Sequence, residues 1–167
     1  FKAIHHPRDR VGIVGFAGEA DEVHPVVAAR EGAASLLDSM SRLLPLFGTN
    51  ITAALERSHA MLSAAPRSRT PGDLIEACRG LARWLARPTQ PRRSTYAGKR
   101  IILVTDGDTN TGEPPNATSD ELKAQGVCID IIGVGAHPSQ VNEPLLKALA
   151  SIGADGKPRY VFISDCQ

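Results

Sequence analysis

Ile101-Ile102-Leu103-Val104-Thr105-Asp106-Gly107 is the stretch that decides the fold. Its four consecutive aliphatic residues follow a basic pair and end at an Asp-Gly turn. Such a run predicts a strand of a parallel sheet, because these strands are buried on both faces and do not alternate polar with apolar residues. In open α/β sheets, ligands bind beyond the carboxyl ends of the strands. Asp106 therefore stands where a binding site is expected.

On the carboxyl side of this strand, helical and extended patterns alternate. They predict a helix at 119–125, a strand at 127–132, a helix at 141–151 and a last strand at 159–163. Strands that alternate with helices indicate an α/β fold, with a doubly wound, mostly parallel sheet between two layers of helices.

On the amino side, the pattern predicts a hairpin followed by two helices. The strand at 10–16 and the extended segment at 22–26 form the hairpin, and Pro25 confines the second of them to an antiparallel edge position. Helical spacing follows at 33–44 and again at 51–62.

Size and composition indicate one domain that covers residues 1–167. Hydrophobic residues make up 42% of the chain and charged residues 22%, as in ordinary globular proteins. No apolar stretch approaches the roughly 20 residues of a membrane helix, so we expect no membrane contact. The three cysteines have no paired spacing, and no signal peptide is visible, which predicts a cytoplasmic protein with free thiols.

A basic segment at about 66–99 interrupts this even composition. Residues 67–100 carry nine lysines or arginines against two acids, whereas the whole chain has a net charge of only +1. The segment is predicted to be largely helical. A solvated surface, a site for an acidic partner and a nucleic-acid-binding face are the three interpretations, and sparse aromatic residues make nucleic acid the weakest of them.

A second loop, Gly48-Thr49-Asn50, offers a partner for Asp106. The Thr49 hydroxyl and the Asp106 carboxylate are hard oxygen ligands, suited to Mg²⁺, Mn²⁺ or Ca²⁺. Each residue also has a plain structural interpretation. Thr49 could cap the helix that follows it, and Asp106 could accept hydrogen bonds from backbone N–H groups of its own loop.

Together these elements resemble the von Willebrand factor A (vWA) domain in the order of that family. The resemblance rests on the strand 10–16, the Gly48-Thr49-Asn50 loop, the strand with its Thr-Asp-Gly turn and the last two strands. It implies a Rossmann-like fold and a metal-ion-dependent adhesion site with Thr49 and Asp106 among its ligands. It also implies Mg²⁺, Mn²⁺ or Ca²⁺ as the ion, a protein partner that completes the coordination with an acidic side chain, and no enzymatic activity.

Both ends of the chain depart from this family pattern. The Asp-x-Ser-x-Ser motif of the family's first strand does not occur, and the final helix has no counterpart. We therefore expect a truncated domain, or one whose sheet is completed by another chain, with a weak or absent metal site in these residues alone.

An enzymatic alternative uses the same turn. Asp106 and Asp108 after an apolar strand are also similar to the nucleophile loop of Mg²⁺-dependent phosphohydrolases of the haloacid-dehalogenase type. Asn110 stands where that family has threonine or valine, which disfavours this alternative.

Overall fold

The computed structural model describes residues 9–41, 43, 48–64, 98–107 and 109–164. These residues form two sheets. An antiparallel hairpin contains β1 (Arg10–Phe16) and β2 (Ala20–Ala28). A parallel sheet contains β3 (Arg100–Thr105), β4 (Cys128–Gly135) and β5 (Tyr160–Ser164), in that order. The described helices are α1 (Ala29–Ser41), α2 (Ile51–Ala64), α3 (Pro115–Ala124) and α4 (Glu143–Leu149).

The predicted α/β architecture is confirmed, with parallel strands after residue 100 and an antiparallel strand in the hairpin. The structure does not test the predicted basic segment, because residues 66–97 lie outside the described residues. That one truncated domain spans 1–167 stays a prediction. No helix in the described ranges is long and apolar enough to span a membrane.

The main core lies on one face of the parallel sheet. Ile101 and Leu103 of β3 are buried there with Ile131 of β4, and α2, α3 and α4 contribute apolar side chains to the same cluster. The opposite face differs, since Ile102 and Val104 are 58% and 52% exposed. Burial of β3 on both faces is therefore a wrong prediction for the described residues, because the helices in this core pack on one face only.

The hairpin packs on the two helices that follow it in sequence. A Cβ on Gly12 of β1 would stand 3.0 Å from Met61 Cε of α2, which shows how closely the two elements approach. On β2, the buried His24 lies 3.0 Å from the Ser35 hydroxyl of α1, measured from its Nε2. In the described residues, β1 and β3 belong to separate sheets.

Local capping explains where two helices differ from their predicted bounds. α3 begins at Pro115, four residues earlier than predicted, because proline suits a first turn whose N–H groups need no partner. α4 begins later than predicted because Asn142 caps it, accepting a hydrogen bond from the Leu145 N–H at 3.2 Å.

Candidate functional site

Three loops meet at the carboxyl edge of the strands. They are the turn 17–19 after β1, the loop 48–50 before α2 and the described residues 106–107 and 109–113 of the loop after β3, and we call them the loop cluster. The first two loops touch at two glycines. Gly48 has a φ of +90°, and a Cβ there would stand 3.2 Å from the Gly18 nitrogen. A side chain at Gly48 would therefore be strained and would push the loops apart.

Asn50 joins the turn 17–19 to the start of α2. Its N–H donates to the Ala17 carbonyl at 2.7 Å, and its Nδ2 donates to the Gly18 carbonyl at 3.1 Å. Its Oδ1 accepts a hydrogen bond from the Ala53 N–H at 3.0 Å. Asn50 is thus the N-cap of α2, and the interpretation of Thr49 as the cap is wrong.

The hydrogen bonds of Thr49 are made by its main-chain N–H and carbonyl groups and not by its side chain. Its N–H donates to Asn110 Oδ1 at 2.7 Å, and its carbonyl accepts from the Asn110 N–H at 3.0 Å and from the Thr109 hydroxyl at 3.1 Å. The Thr49 hydroxyl makes no hydrogen bond within the described residues. The oxygen predicted to bind a metal ion is therefore left available.

Asp106 is exposed at the end of β3, and its carboxylate makes no hydrogen bond or ion pair with any described residue. The Gly107 N–H donates to the Thr105 hydroxyl at 3.3 Å. An aspartate at the start of a loop commonly accepts from the N–H two residues on. That N–H belongs to Asp108, which lies outside the described residues, so the interpretation of Asp106 as a structural acceptor for its own loop stays a prediction.

Gly107 fixes the direction of the turn that carries Asp106. Its φ is +134°, and a Cβ there would stand 2.9 Å from Val141 Cα and 3.0 Å from the Asn142 nitrogen. Because these neighbours are backbone atoms that cannot easily move aside, only glycine fits. The turn therefore rests directly on the segment that leads into α4.

A polar cluster that the sequence analysis missed lies beyond Val141. The Tyr160 hydroxyl donates to Glu143 Oε1 at 3.3 Å, and Lys147 Nζ lies 2.5 Å from Glu143 Oε2. The hydrogen bond from Lys147 lowers the pKa of Glu143, and burial raises the pKa of Tyr160. The i, i+4 spacing of Glu143 and Lys147 is the sequence signal that could have indicated this pair.

The two predicted ligands could form only part of a coordination shell. The loops that carry Thr49 and Asp106 are brought together, but no hydrogen bond joins the two side chains. No group of three or more His, Cys, Asp or Glu side chains in the described ranges is placed to hold a metal ion. The hydroxyl and the carboxylate nevertheless fit a hard cation, since both are oxygen donors without a competing partner.

Two further predicted features are not located by the structure. Asp108, the second carboxylate of the phosphohydrolase alternative, lies outside the described residues, as does most of the basic segment. Away from the loops, a groove of about 310 Å³ separates α2 from α3. Glu56 and His59 of α2 and Glu121 of α3 are the titratable residues that line it.

The sequence profile of the von Willebrand factor type A domain matches residues 1–166. No curated protein sequence matches the chain. Among solved structures, proximal thread matrix protein 1 from the mussel byssus, with a zinc-occupied MIDAS motif, superposes with a TM-score of 0.63 at 21% identity. That match covers 96% of this chain and 34% of the mussel chain, so the chain spans about a third of the mussel protein.

Two bacterial structures are similar in fold. BatB from Bacteroides thetaiotaomicron has a TM-score of 0.59 at 20% identity, over 95% of this chain and 72% of BatB. A von Willebrand factor type A protein from Catenulispora acidiphila has a TM-score of 0.61 at 17% identity, over 97% of this chain and 31% of that protein. At these identities the likeness concerns the fold. The profile match over nearly the whole chain shows that this chain belongs to the von Willebrand factor type A domain family.

Proposed function

We propose that this chain is a protein-binding module that recruits a protein partner through a divalent cation held at the loop cluster. One observation carries the proposal. The Thr49 main chain is engaged by Asn110, Thr109 and Thr111, while the Thr49 hydroxyl and the Asp106 carboxylate have no partner among the described residues. Two hard oxygens at the carboxyl edge of a sheet are thereby available to a ligand.

In this proposal Mg²⁺ is the resident ion, with Mn²⁺ or Ca²⁺ as alternatives. Thr49 binds it through its hydroxyl, and Asp106 binds it directly or through water. An acidic side chain of the partner occupies one coordination position, which makes partner binding depend on the ion. Water, and a strand that completes the sheet, supply the remaining ligands, since Asp-x-Ser-x-Ser does not occur in the 167 residues.

The same chemistry favours binding over catalysis. The Thr49 hydroxyl and the Asp106 carboxylate are oxygen ligands that can hold an ion, whereas Asn110 stands where the phosphohydrolase loop has threonine or valine. We also propose a cytoplasmic location, which fits the free thiol of Cys128.

Calorimetric titration of Mg²⁺ and Mn²⁺ into the full-length protein tests the proposal. Thr49→Ala and Asp106→Ala each remove one ligand, and we expect each to lower the affinity at least about tenfold, which corresponds to roughly 1.4 kcal/mol. Thr118→Ala and Asp120→Ala on α3 are controls that remove the same side chains away from the loop cluster. Equal ion affinity in the parent, the two ligand variants and the controls would contradict the metal site.

A further inference from the structure

We propose that the face of the parallel sheet opposite the main core docks an amphipathic helix of a partner protein, with an acidic side chain of that helix beside Arg100. We call this surface the open face. Its apolar side chains are Ile102 and Val104 of β3, Ile132 and Val134 of β4, and Val161 and Ile163 of β5. The open face is separate from the loop cluster, and its occupant does not depend on an ion.

The register of the three strands brings these side chains together. Val104 pairs with Ile132, and Ile132 pairs with Val161, so the three residues form one row across the sheet. Val134 and Ile163 pair in a neighbouring row on the same side. Because side chains alternate between the two sides of a strand, the residues between these rows point to the main core instead. The aliphatic groups of the open face therefore form one continuous surface.

This surface is exposed to solvent. Ile102 and Val104 are each more than half exposed, and Val161 and Ile163 are 60% and 49% exposed. Single exposed aliphatic residues are common, but a contiguous apolar patch usually marks an interaction site. Parallel sheets in particular occur almost always with both faces covered. The open face therefore has the character of a docking surface.

An α-helix is the occupant that a parallel sheet favours, since helices are the elements that normally cover both of its faces. β3 has six residues, so the open face is about 20 Å long. A helix of about 13 residues spans this length. Its apolar residues would recur at i, i+3, i+4 and i+7, which gives one stripe along the helix.

Three charged side chains at the amino end of the open face determine which helix fits. Arg100 Nε lies 3.1 Å from Asp130 Oδ2, and Arg159 Nε donates to Asp130 Oδ1. One carboxylate between two guanidinium groups leaves an excess positive charge. The Arg100 side chain is 53% exposed, so a partner can reach it. An acidic side chain on the helix would complement this charge, whereas a lysine there would be repelled.

The same charge disfavours a second copy of this chain as the occupant. Its open face would present the same two arginines and the same single carboxylate, which Arg100 and Arg159 already bind. Packing of two open faces against each other would therefore bring no free acid to Arg100.

The charge test uses the full-length protein and two synthetic alanine-rich helical peptides of about 18 residues. Both carry leucines at i, i+3, i+4 and i+7, with a glutamate at one end of the stripe in the first peptide and a lysine there in the second. Fluorescence anisotropy should show about threefold to tenfold tighter binding of the glutamate peptide. Arg100→Glu should reverse this preference. Arg57→Glu makes the same charge change on α2 and should leave the preference unaltered.

The apolar part of the open face is tested by the double variant Val104→Thr with Val161→Thr. Threonine keeps the branched shape and the strand propensity of valine, so the fold should persist, which circular dichroism checks. We expect about tenfold weaker binding of the glutamate peptide. Leu37→Gln removes another exposed apolar side chain, on α1, and should leave the affinity unchanged.

Four results would overturn the proposal. The first is no binding of the glutamate peptide, and the second is equal binding of the glutamate, lysine and sequence-scrambled peptides. The third is a dimer in analytical ultracentrifugation that the double variant abolishes, because it would assign the open face to a second copy. The fourth is peptide binding that EDTA abolishes, because it would place the peptide at the loop cluster. The ion titrations of the proposed function do not depend on any of these results.

Discussion

The parallel sheet and the β1–β2 hairpin are held in place by different forces. The sheet has an apolar core in which Leu55 of α2 and Ile131 of β4 are each only 1% exposed. In the hairpin, by contrast, every residue of β1 is half-buried, and its loop end is attached through polar groups of Asn50. The loop cluster lies where these two regions meet. Apolar burial therefore supplies most of the stability, while hydrogen bonds determine the shape of the candidate site.

Leu55→Ala should lower the free energy of unfolding the most, because it removes a fully buried side chain from the core of the parallel sheet. Such truncations cost about 2–5 kcal/mol, through lost burial and the cavity that remains. Urea unfolding measures the loss. Leu37→Ala on α1 is the matched control, since Leu37 is 69% exposed and should cost about 0.5 kcal/mol or less. Equal losses would mean that the main core lies elsewhere.

Gly107→Ala should cause the second-largest loss of folding stability, because it combines an unfavourable φ with a backbone collision at Val141. Gly126→Ala separates these two causes, because Gly126 also has a positive φ of 80° but open space around its Cβ position. The φ alone costs about 1–3 kcal/mol. We expect Gly107→Ala to exceed Gly126→Ala by at least about 1 kcal/mol in thermal or urea unfolding, given the cost of overpacking. Similar costs would indicate that the turn is not seated on Val141.

Asn50→Ala tests whether polar contacts hold the hairpin. The variant removes the cap of α2 and the bond to the Gly18 carbonyl, at an expected cost of about 1–2 kcal/mol. Amide exchange should accelerate in β1 and β2 and change little in β4. Asn142→Ala removes the cap of α4 and should lower stability without this effect on the hairpin. Amide exchange that accelerates equally in the hairpin and in β4, in both variants, would contradict the claim that polar contacts hold the hairpin and apolar burial holds the parallel sheet.

Acidification should produce a smaller loss of folding stability through the Glu143–Lys147 pair. The hydrogen bond from Lys147 lowers the folded-state pKa of Glu143, so this carboxylate stabilises the fold above its unfolded pKa of about 4.3. The contribution is lost as the pH falls through the lower, folded-state pKa. The free energy of unfolding, measured from neutral pH downwards, should therefore fall less steeply in Glu143→Gln than in the parent. Parallel curves would show that the Glu143–Lys147 pair contributes nothing.

Much of the fold was predictable because its signals are local. The run Ile101–Val104 followed by Asp106-Gly107 identified a parallel strand and the edge at which a ligand would bind. Pro25 identified the antiparallel strand. The exposure of Ile102 and Val104 was not predictable, because an entirely apolar run does not reveal which of its two faces a helix covers.

The site was predictable only in outline. Thr49 and Asn50 are neighbouring residues of types that both favour N-caps, and the choice depends on the long-range bonds of Asn50 to the turn 17–19. The bond between Thr49 and Asn110 joins positions 61 residues apart, and no periodic pattern relates them. Tertiary hydrogen bonds of this kind leave no signature in a single sequence.

The most direct measurement of the ion's position is paramagnetic broadening by Mn²⁺ in the isotope-labelled full-length protein. If Thr49 and Asp106 hold the ion, the amide signals of Thr49, Gly107 and Asn110 should broaden at the lowest Mn²⁺ concentrations. The groove between α2 and α3 offers an internal control, because Glu56 and Glu121 are also exposed carboxylates. Selective broadening at the loop cluster, abolished by Asp106→Ala, is the predicted result. Broadening centred on the groove, or spread evenly over the protein, would contradict a cation site at Thr49 and Asp106.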